Sequence, residues 1–492
     1  MAKDDRPQAT LYDAVVVGGG ITGVGIARFA ARNGFSVALL ERGDLASGAS
    51  SASSHMLHGG LRYLEHGHFT LVREALGERA AVSRMAPDLA RPTRFLIPFY
   101  RGDRRPPWMV RLGLLAYDAF AARGGFSRHT AVRAREALAL EPELAAEGLR
   151  GAALYSDAVM DDARLAVAVA RDAAAHGAAI HTYTEAVGVR PLESGAVEVL
   201  GHDRYTGLER RVAGRVLINA TGPWTDRTRA DLLSSLRPGA PDPAPVLRPS
   251  RGIHLVFPAF TQGHGVLWLA REDGRVLFVI PFAGHALVGT TEVEVTSPLE
   301  NGALAPSVDE VRYLRAELAR AFPHTEELPA LAVTSGVRPL IASTGAVGAA
   351  SREHRVIEEG PMLTVAGGKY TTFRLIARDA VAALRRMLKR GGPALRDSTA
   401  PLPRASADPA EPEALAVAAA EHAFARRIED VIRRRSTLWL TPDRGRVAAP
   451  AVAAGLARAL GWTPERTRAE IQSFYAGLER EDRLLQAARE VA

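Results

Sequence analysis

The sequence predicts an α/β chain: a parallel sheet that begins near residue 12, an antiparallel sheet inserted into it, and a helical C-terminal part. Three observations carry that prediction. A β-branched run, Asp13 to Val17, is followed at once by Gly18-Gly19-Gly20-Ile21-Thr22-Gly23 and then by apolar residues at helical spacing. The middle of the chain holds alternating, strand-like segments such as Val276 to Pro281. Beyond residue 412 the composition becomes strongly helical.

The run Asp13 to Val17 suits a strand buried on both faces, as parallel strands are. Ile21, Val24, Ala27, Ala30 and Ala31 predict a helix from Ile21 to Asn33, and Gly34 sits where a C′ glycine belongs. A second strand, Ser36 to Leu40, ends in Glu41, eighteen residues beyond Gly23. Gly18, Gly20 and Gly23 match G-x-G-x-x-G, and here the motif lies between a strand and a helix with an acid at the end of the second strand. That is the setting of a Rossmann-like dinucleotide-binding unit. The glycines permit the tight turn and let backbone approach a pyrophosphate at the helix N-terminus, where Ile21 and Thr22 stand. Glu41 is placed to accept from ribose hydroxyls, with Arg42 beside it. No second motif of this kind follows a later strand, since Gly345-Ala346-Val347-Gly348 fails the spacing, so one dinucleotide site is expected.

At 492 residues the chain is long enough for two to four structural units, and 47% hydrophobic with 24% charged residues is ordinary globular composition. Cysteine is absent, which removes disulfides, iron–sulfur clusters, thiolate zinc sites and a cysteine nucleophile. The net charge is +7, and the only lysines are Lys3, Lys369 and Lys389, so nearly all positive charge is arginine and each lysine draws attention. No apolar run reaches the length of a bilayer span, and Met1 to Thr10 is polar and charged rather than leader-like. The expectation is a cytoplasmic protein, or one peripheral to the inner face of the cell membrane.

After Glu41 the chain runs through Gly48-Ala49-Ser50-Ser51-Ala52-Ser53-Ser54 into His55-Met56-Leu57-His58-Gly59-Gly60-Leu61-Arg62-Tyr63-Leu64. The small residues suit close packing of backbone against a flat or phosphorylated ligand. From this point the sequence resembles the FAD-dependent, quinone-linked glycerol-3-phosphate dehydrogenases of the D-amino-acid-oxidase-like flavoproteins. The likeness continues through Ala220-Thr221-Gly222-Pro223-Trp224, Ser250-Arg251-Gly252-Ile253-His254 and Phe278-Val279-Ile280-Pro281-Phe282. It runs on through Gly289-Thr290-Thr291-Glu292, Ser335-Gly336-Val337-Arg338-Pro339-Leu340 and Gly367-Gly368-Lys369-Tyr370-Thr371-Thr372-Phe373-Arg374. It implies FAD as cofactor and oxidation of sn-glycerol 3-phosphate to dihydroxyacetone phosphate, with electrons passed to membrane quinone. It also implies FAD contacts at Ser50, Ser51, Ser53, Ser54, Leu57, His58 and Gly59, at Ala220, Thr221, Gly222 and Trp224, and at Gly368, Lys369 and Thr371. The family usually has lysine where His55 and Arg251 stand, and aspartate where Glu292 stands.

A substrate phosphate needs cationic forks, which arginine supplies bidentately. Arg338, Arg62 and Arg352 are the candidates, being set in otherwise apolar or glycine-rich motifs. Lys369 follows two glycines at the start of a helical stretch running to Leu388, where backbone N–H groups and its own charge favour an anion. The proton of a substrate hydroxyl needs a base, for which His58 and His254 are alternatives, and Tyr63 is placed to hydrogen-bond the substrate. His66 and His68 flank Gly67 without a completing acid, and no metal is expected.

The cofactor unit is expected to assemble from residues 12–84, 155–235 and 345–395, with 85–154 and 236–344 as the substrate cap. Residues 391–412 read as a linker, and 405–492 as a C-terminal helical domain with helices over Glu413 to Arg435, Ala451 to Leu460, Pro464 to Phe474 and Glu479 to Glu490. The run Arg433-Arg434-Arg435 is expected to be solvated. Arg101 to Phe126, with Arg104, Arg105, Trp108, Arg111, Leu112, Leu114, Leu115, Tyr117 and Phe120, resembles an interfacial helix suited to an anionic lipid surface. Alternative readings are a glycerol-3-phosphate oxidase using oxygen and an amino-acid-oxidising relative. Nucleic acid is not an expected partner, because the positive charge is spread and no aromatic-interleaved basic stripe occurs. Homodimerisation is left open.

Overall fold

The computed structural model describes residues 10–65, 67–103, 105–121, 124–296, 299, 305–342, 353–404 and 408–490, with Arg62 and Glu65 described in their backbone alone. Two sheets organise it. In the first, Leu11–Val17 is the centre: it pairs in parallel with Val37–Leu40 on one side and Glu209–Asn219 on the other. Ala179–His181 extends the sheet beyond Val37–Leu40, while Met362–Gly367 and His354–Glu359 extend it beyond Glu209–Asn219.

The apolar run of the first strand is explained by what covers it. Ala14 and Val16 pack with the helix Ile21–Arg32 and with Phe373, Ile376 and Ala380 of the helix Phe373–Met387. Val15 and Val17 point the other way, against Val189, Val197, Val199 and Leu232. Alternate side chains therefore enter two separate cores, and neither face tolerates a polar residue. Arg28 is buried beside this core; its guanidinium donates to Asp172 at 2.6 Å, and Arg32 donates to the same carboxylate.

Among the described residues the second sheet has ten strands and is largely antiparallel. Near one edge Ser250–Pro258 is flanked by His285–Gly289 and Ala332–Arg338 in registers that set Ser250 opposite Arg338 and His254 opposite both Gly289 and Thr334. Val276–Phe282 forms the strand foreseen over Val276 to Pro281. Met56–Leu57, Ala90–Tyr100 and Leu149–Met160 pair in this sheet too. The fold class is thus the expected one: a parallel dinucleotide-type sheet, an antiparallel second sheet and C-terminal helices.

Several element expectations change. Glu413 to Arg435 is not one helix. Pro412–His422 ends at Ala423, Phe424 takes a left-handed φ of 62°, and a wider-turned helix follows over Asp430–Arg435. Arg434 and Arg435 are buried rather than solvated, because both reach Asp44. Pro464 to Phe474 and Glu479 to Glu490 form a single helix, Pro464–Ala487, opened by the Thr463 hydroxyl accepting from the Arg466 N–H. The stretch read as a linker is tied down where it is described: Leu402 donates its N–H to the Met85 carbonyl at 2.8 Å, and Asp397 pairs with Arg374 at 2.6 Å. Among the described residues no helix is long and apolar enough to cross a membrane.

Candidate active site

The glycine turn is a cradle whose dimensions exclude side chains. A Cβ on Gly23 would lie 1.8 Å from the Gly18 carbonyl oxygen, and one on Gly18, at φ 110°, would lie 2.5 Å from the Ala220 carbonyl oxygen. Gly20 caps the helix Ile21–Arg32 with extended backbone. The Ser50 hydroxyl accepts from the Ile21 N–H at 3.0 Å. Thr22 follows Ile21 in the same first turn. Glu41 accepts from the Gly19 N–H at 2.6 Å and from the Gly43 N–H at 2.8 Å. Burial raises its carboxyl above the usual range, and those two N–H groups and Arg42 work against that rise. Arg42 stacks over the Trp224 ring at 4.3 Å. Ala220, Thr221 and Gly222 follow the strand Glu209–Asn219, and Ala220 donates its N–H to the Val17 carbonyl. Backbone room, helix N-terminus and terminal carboxylate all fit a dinucleotide here.

The serine-rich loop divides its work. Ser53 bonds Asp162 through both its N–H and its hydroxyl, fixing the loop to the helix Asp162–Ala175. Ser54 meets His254 Nε2 at 3.0 Å, and Ser51 closes a short 3₁₀ turn, Ala49–Ser51. His55 is buried against Phe282, ring centroids 4.4 Å apart, with Nδ1 3.1 Å from the Met160 carbonyl. Leu57 is fully buried in the core beneath the first sheet.

A cavity of about 1760 Å³ opens beyond this loop, lined in part by Ser54, His58, Tyr63, Thr290, Glu292 and Arg338. Arg338 Nη2 donates to the Thr290 hydroxyl at 2.7 Å and to the Thr291 carbonyl at 3.2 Å. Gly252 keeps that approach open, since a Cβ there would lie 2.3 Å from Arg338 Nη2. Arg251 turns away to Glu310 at 2.7 Å. Lys369 Nζ stands 4.1 Å over the Tyr63 ring, ahead of the turn Tyr370–Thr372, after Gly367 and Gly368 at φ 76° and 90°. The Thr371 hydroxyl reaches the His58 N–H at 3.4 Å. Tyr63, His58, Lys369, Gly368 and Thr371 thus converge from distant segments, His58 and Thr371 being 313 residues apart.

His254 is buried and does not line the cavity. Burial first, then Arg338 and His55, push its ring down to about 3, so it stays neutral and a weak proton acceptor at neutral pH. Arg352 and the side chain of Arg62 lie outside the described residues. Sequence reasoning missed a buried support beneath the His58 loop. The Gly59 N–H donates to the Tyr117 hydroxyl at 2.8 Å, and that hydroxyl donates to Asp157 at 2.7 Å. Arg79 donates to the same carboxylate at 2.6 Å. Tyr117 had been visible only as one member of an apolar stripe.

Residues 13–374 match the family model described as FAD dependent oxidoreductase. The glycerol-3-phosphate dehydrogenase of Pseudomonas aeruginosa is 38% identical over 81% of this chain and 76% of its own length. The aerobic glycerol-3-phosphate dehydrogenase of Escherichia coli is 38% identical over 78% of this chain and 75% of its own length. Among solved structures, the glycerol-3-phosphate dehydrogenase of Bacillus halodurans complexed with FAD superposes with a TM-score of 0.73, covering 96% of this chain and 95% of that one at 24% identity. The chain belongs to the FAD-dependent oxidoreductase family, in its glycerol-3-phosphate dehydrogenase branch.

Proposed function

We propose that this chain oxidises sn-glycerol 3-phosphate to dihydroxyacetone phosphate and delivers the electrons to a membrane quinone. The carrying observation is the cavity. It is lined by Arg338, His58 and Tyr63, with Lys369 over the Tyr63 ring, and also by Met109, Val110, Leu112 and Gly113 of the helix Pro107–Ala121. FAD, when bound, supplies the two-electron acceptor chemistry. Gly18, Gly20, Gly23, Ile21 and Thr22 would hold its pyrophosphate and Glu41 its ribose, and Gly368, Lys369 and Thr371 would lie toward its reacting end.

The chain's own residues do the rest. Arg338, braced by Thr290 and Thr291, binds the substrate phosphate, with Arg62 and Arg352 as further cations. Tyr63 hydrogen-bonds the glycerol hydroxyls. His58 takes the hydroxyl proton; it lines the cavity, whereas His254 is buried and held neutral and instead positions Ser54. Lys369 sets a positive charge where negative charge gathers as the substrate is oxidised.

Trp108, Leu112 and Leu115 are 67, 60 and 57% exposed, and Phe69 beside Phe120 is 53% exposed, while Leu114 and Tyr117 on the opposite face are buried. Arg111 of the same helix is exposed, and Arg101 and Arg105 precede it, a combination suited to lying in an anionic lipid surface where quinone resides. The test is an anaerobic absorbance scan of the yellow protein on adding sn-glycerol 3-phosphate, then adding quinone or oxygen. Bleaching reversed by quinone supports the proposal. No bleaching removes the substrate, and reversal by oxygen alone, with hydrogen peroxide formed, replaces the acceptor.

A further inference from the structure

We infer that the C-terminal helical part clamps the loop after the second strand, so that Arg434, Arg435 and Tyr183 are positioning residues for the adenosine half of FAD. The inference rests on the FAD site described above. The family match ends at residue 374, so the C-terminal half of the clamp, residues 423–435, lies outside it.

The contacts close a ring. Arg435 grips Asp44 with both terminal nitrogens, at 2.7 and 2.6 Å, and also donates to the Ala423 carbonyl. Arg434 donates from Nε to Asp44 and from Nη2 to Asp430 at 2.8 Å. Asp430 further accepts the N–H groups of Arg426 and Arg427 and the Tyr183 hydroxyl, at 2.8 Å. Tyr183 then donates its own N–H to the Gly43 carbonyl at 2.9 Å, and Thr184 donates to the Glu41 carbonyl at 2.7 Å. Gly43 is the residue whose N–H holds the Glu41 carboxylate. The loop that holds Glu41 is therefore tied to residues 423–435 twice, directly at Asp44 and through Tyr183 at Gly43.

Asp44, Asp430, Arg434 and Arg435 are each at least nine-tenths buried, and two carboxylates offset two guanidiniums. Such a group has no cheap alternative arrangement. Removing one partner strands a buried charge, and the loop must move to let water in. The loop that moves is the one carrying Glu41, which is why the effect reaches the cofactor and not only the fold.

The test uses the full FAD-loaded chain with Arg435→Lys and Tyr183→Phe, and Arg458→Ala as a control that breaks an exposed pair with Glu413 on the same helical part. FAD dissociation constants come from flavin release on dilution, and melting is followed with and without added FAD. Both test variants are expected to hold FAD about tenfold more weakly, the loss of roughly one charge-assisted hydrogen bond, and FAD is expected to raise their melting temperature less than it raises the parent's. Arg458→Ala is expected to keep the parental constant. Parental FAD affinity with lowered melting in both states would make these residues merely structural and overturn the inference. A parent that takes up no FAD would overturn the FAD reading itself, and this inference with it.

Discussion

Replacing Tyr117 by phenylalanine removes one oxygen and tests whether the His58 loop is held from below. The ring is expected to stay, since it is fully buried, edge-on to Tyr155 with centroids 6.1 Å apart. Two bonds are lost: the donation to Asp157 at 2.7 Å and the acceptance from Gly59 N–H at 2.8 Å. A hydrogen bond to a buried carboxylate is worth about 1.5–3 kcal/mol, and a buried N–H left without a partner costs about 1–3 kcal/mol. Arg79 remains on Asp157, so part of the first loss is absorbed. The expected destabilisation is about 3 kcal/mol. Because Gly59 follows His58, turnover should fall as well as stability. The assay is urea unfolding of the FAD-loaded protein beside kcat and KM for sn-glycerol 3-phosphate. A variant within about 0.5 kcal/mol of the parent, the range of a neutral surface change, and with unchanged kcat would refute the argument that this relay supports the site.

Three more outcomes are expected. Gly23→Ala should abolish FAD uptake, because its Cβ would fall 1.8 Å from the Gly18 oxygen; a yellow, FAD-saturated variant would count against the cradle. Glu78, beside Arg374, is raised to about 7 from 4.5 by burial. The folded state thus binds a proton between those values that the unfolded state has released, so this group's stabilisation is present below about 4.5 and lost as pH climbs to about 7. Glu78→Gln should remove that slope, up to about 3 kcal/mol, from the pH dependence of unfolding; an unchanged slope would discount it. Serine at Trp108, Leu112 and Leu115 together should weaken flotation with anionic vesicles at least about 100-fold, and equal flotation of parent and variant would sink the lipid-facing reading of that helix.

What was legible in the sequence was local. The first strand, glycine turn and helix could be read because strand, turn and helix signals lie side by side within thirty residues, and both faces of the strand are covered. The arginine run at 433–435 was misread as solvated because its partner, Asp44, lies about 390 residues away, and a buried arginine looks no different from an exposed one in a string of letters. The break at Phe424 left no mark either: Ala-rich sequence continues across it, and the Ala423 carbonyl released there is taken up by Arg435, a partner twelve residues on. For the site, the glycines, Tyr63, Lys369 and Arg338 stood out in their motifs. Tyr117 and Asp157 did not, since their pairing depends on strands and a helix meeting 40 residues apart.

The order of strands in the first sheet bears on how the protein comes off the ribosome. Leu11–Val17 waits for Glu209–Asn219, and that strand waits for Met362–Gly367, which leads directly into Gly368 and Lys369. Three-quarters of the chain must emerge before the parallel sheet is complete, and the Asp44 loop gains its anchor only when residue 435 follows. Closing such distant pairings is slow and leaves strand edges open meanwhile. The sheet that carries the proposed FAD cradle is therefore completed late in synthesis, with its strand edges open until then.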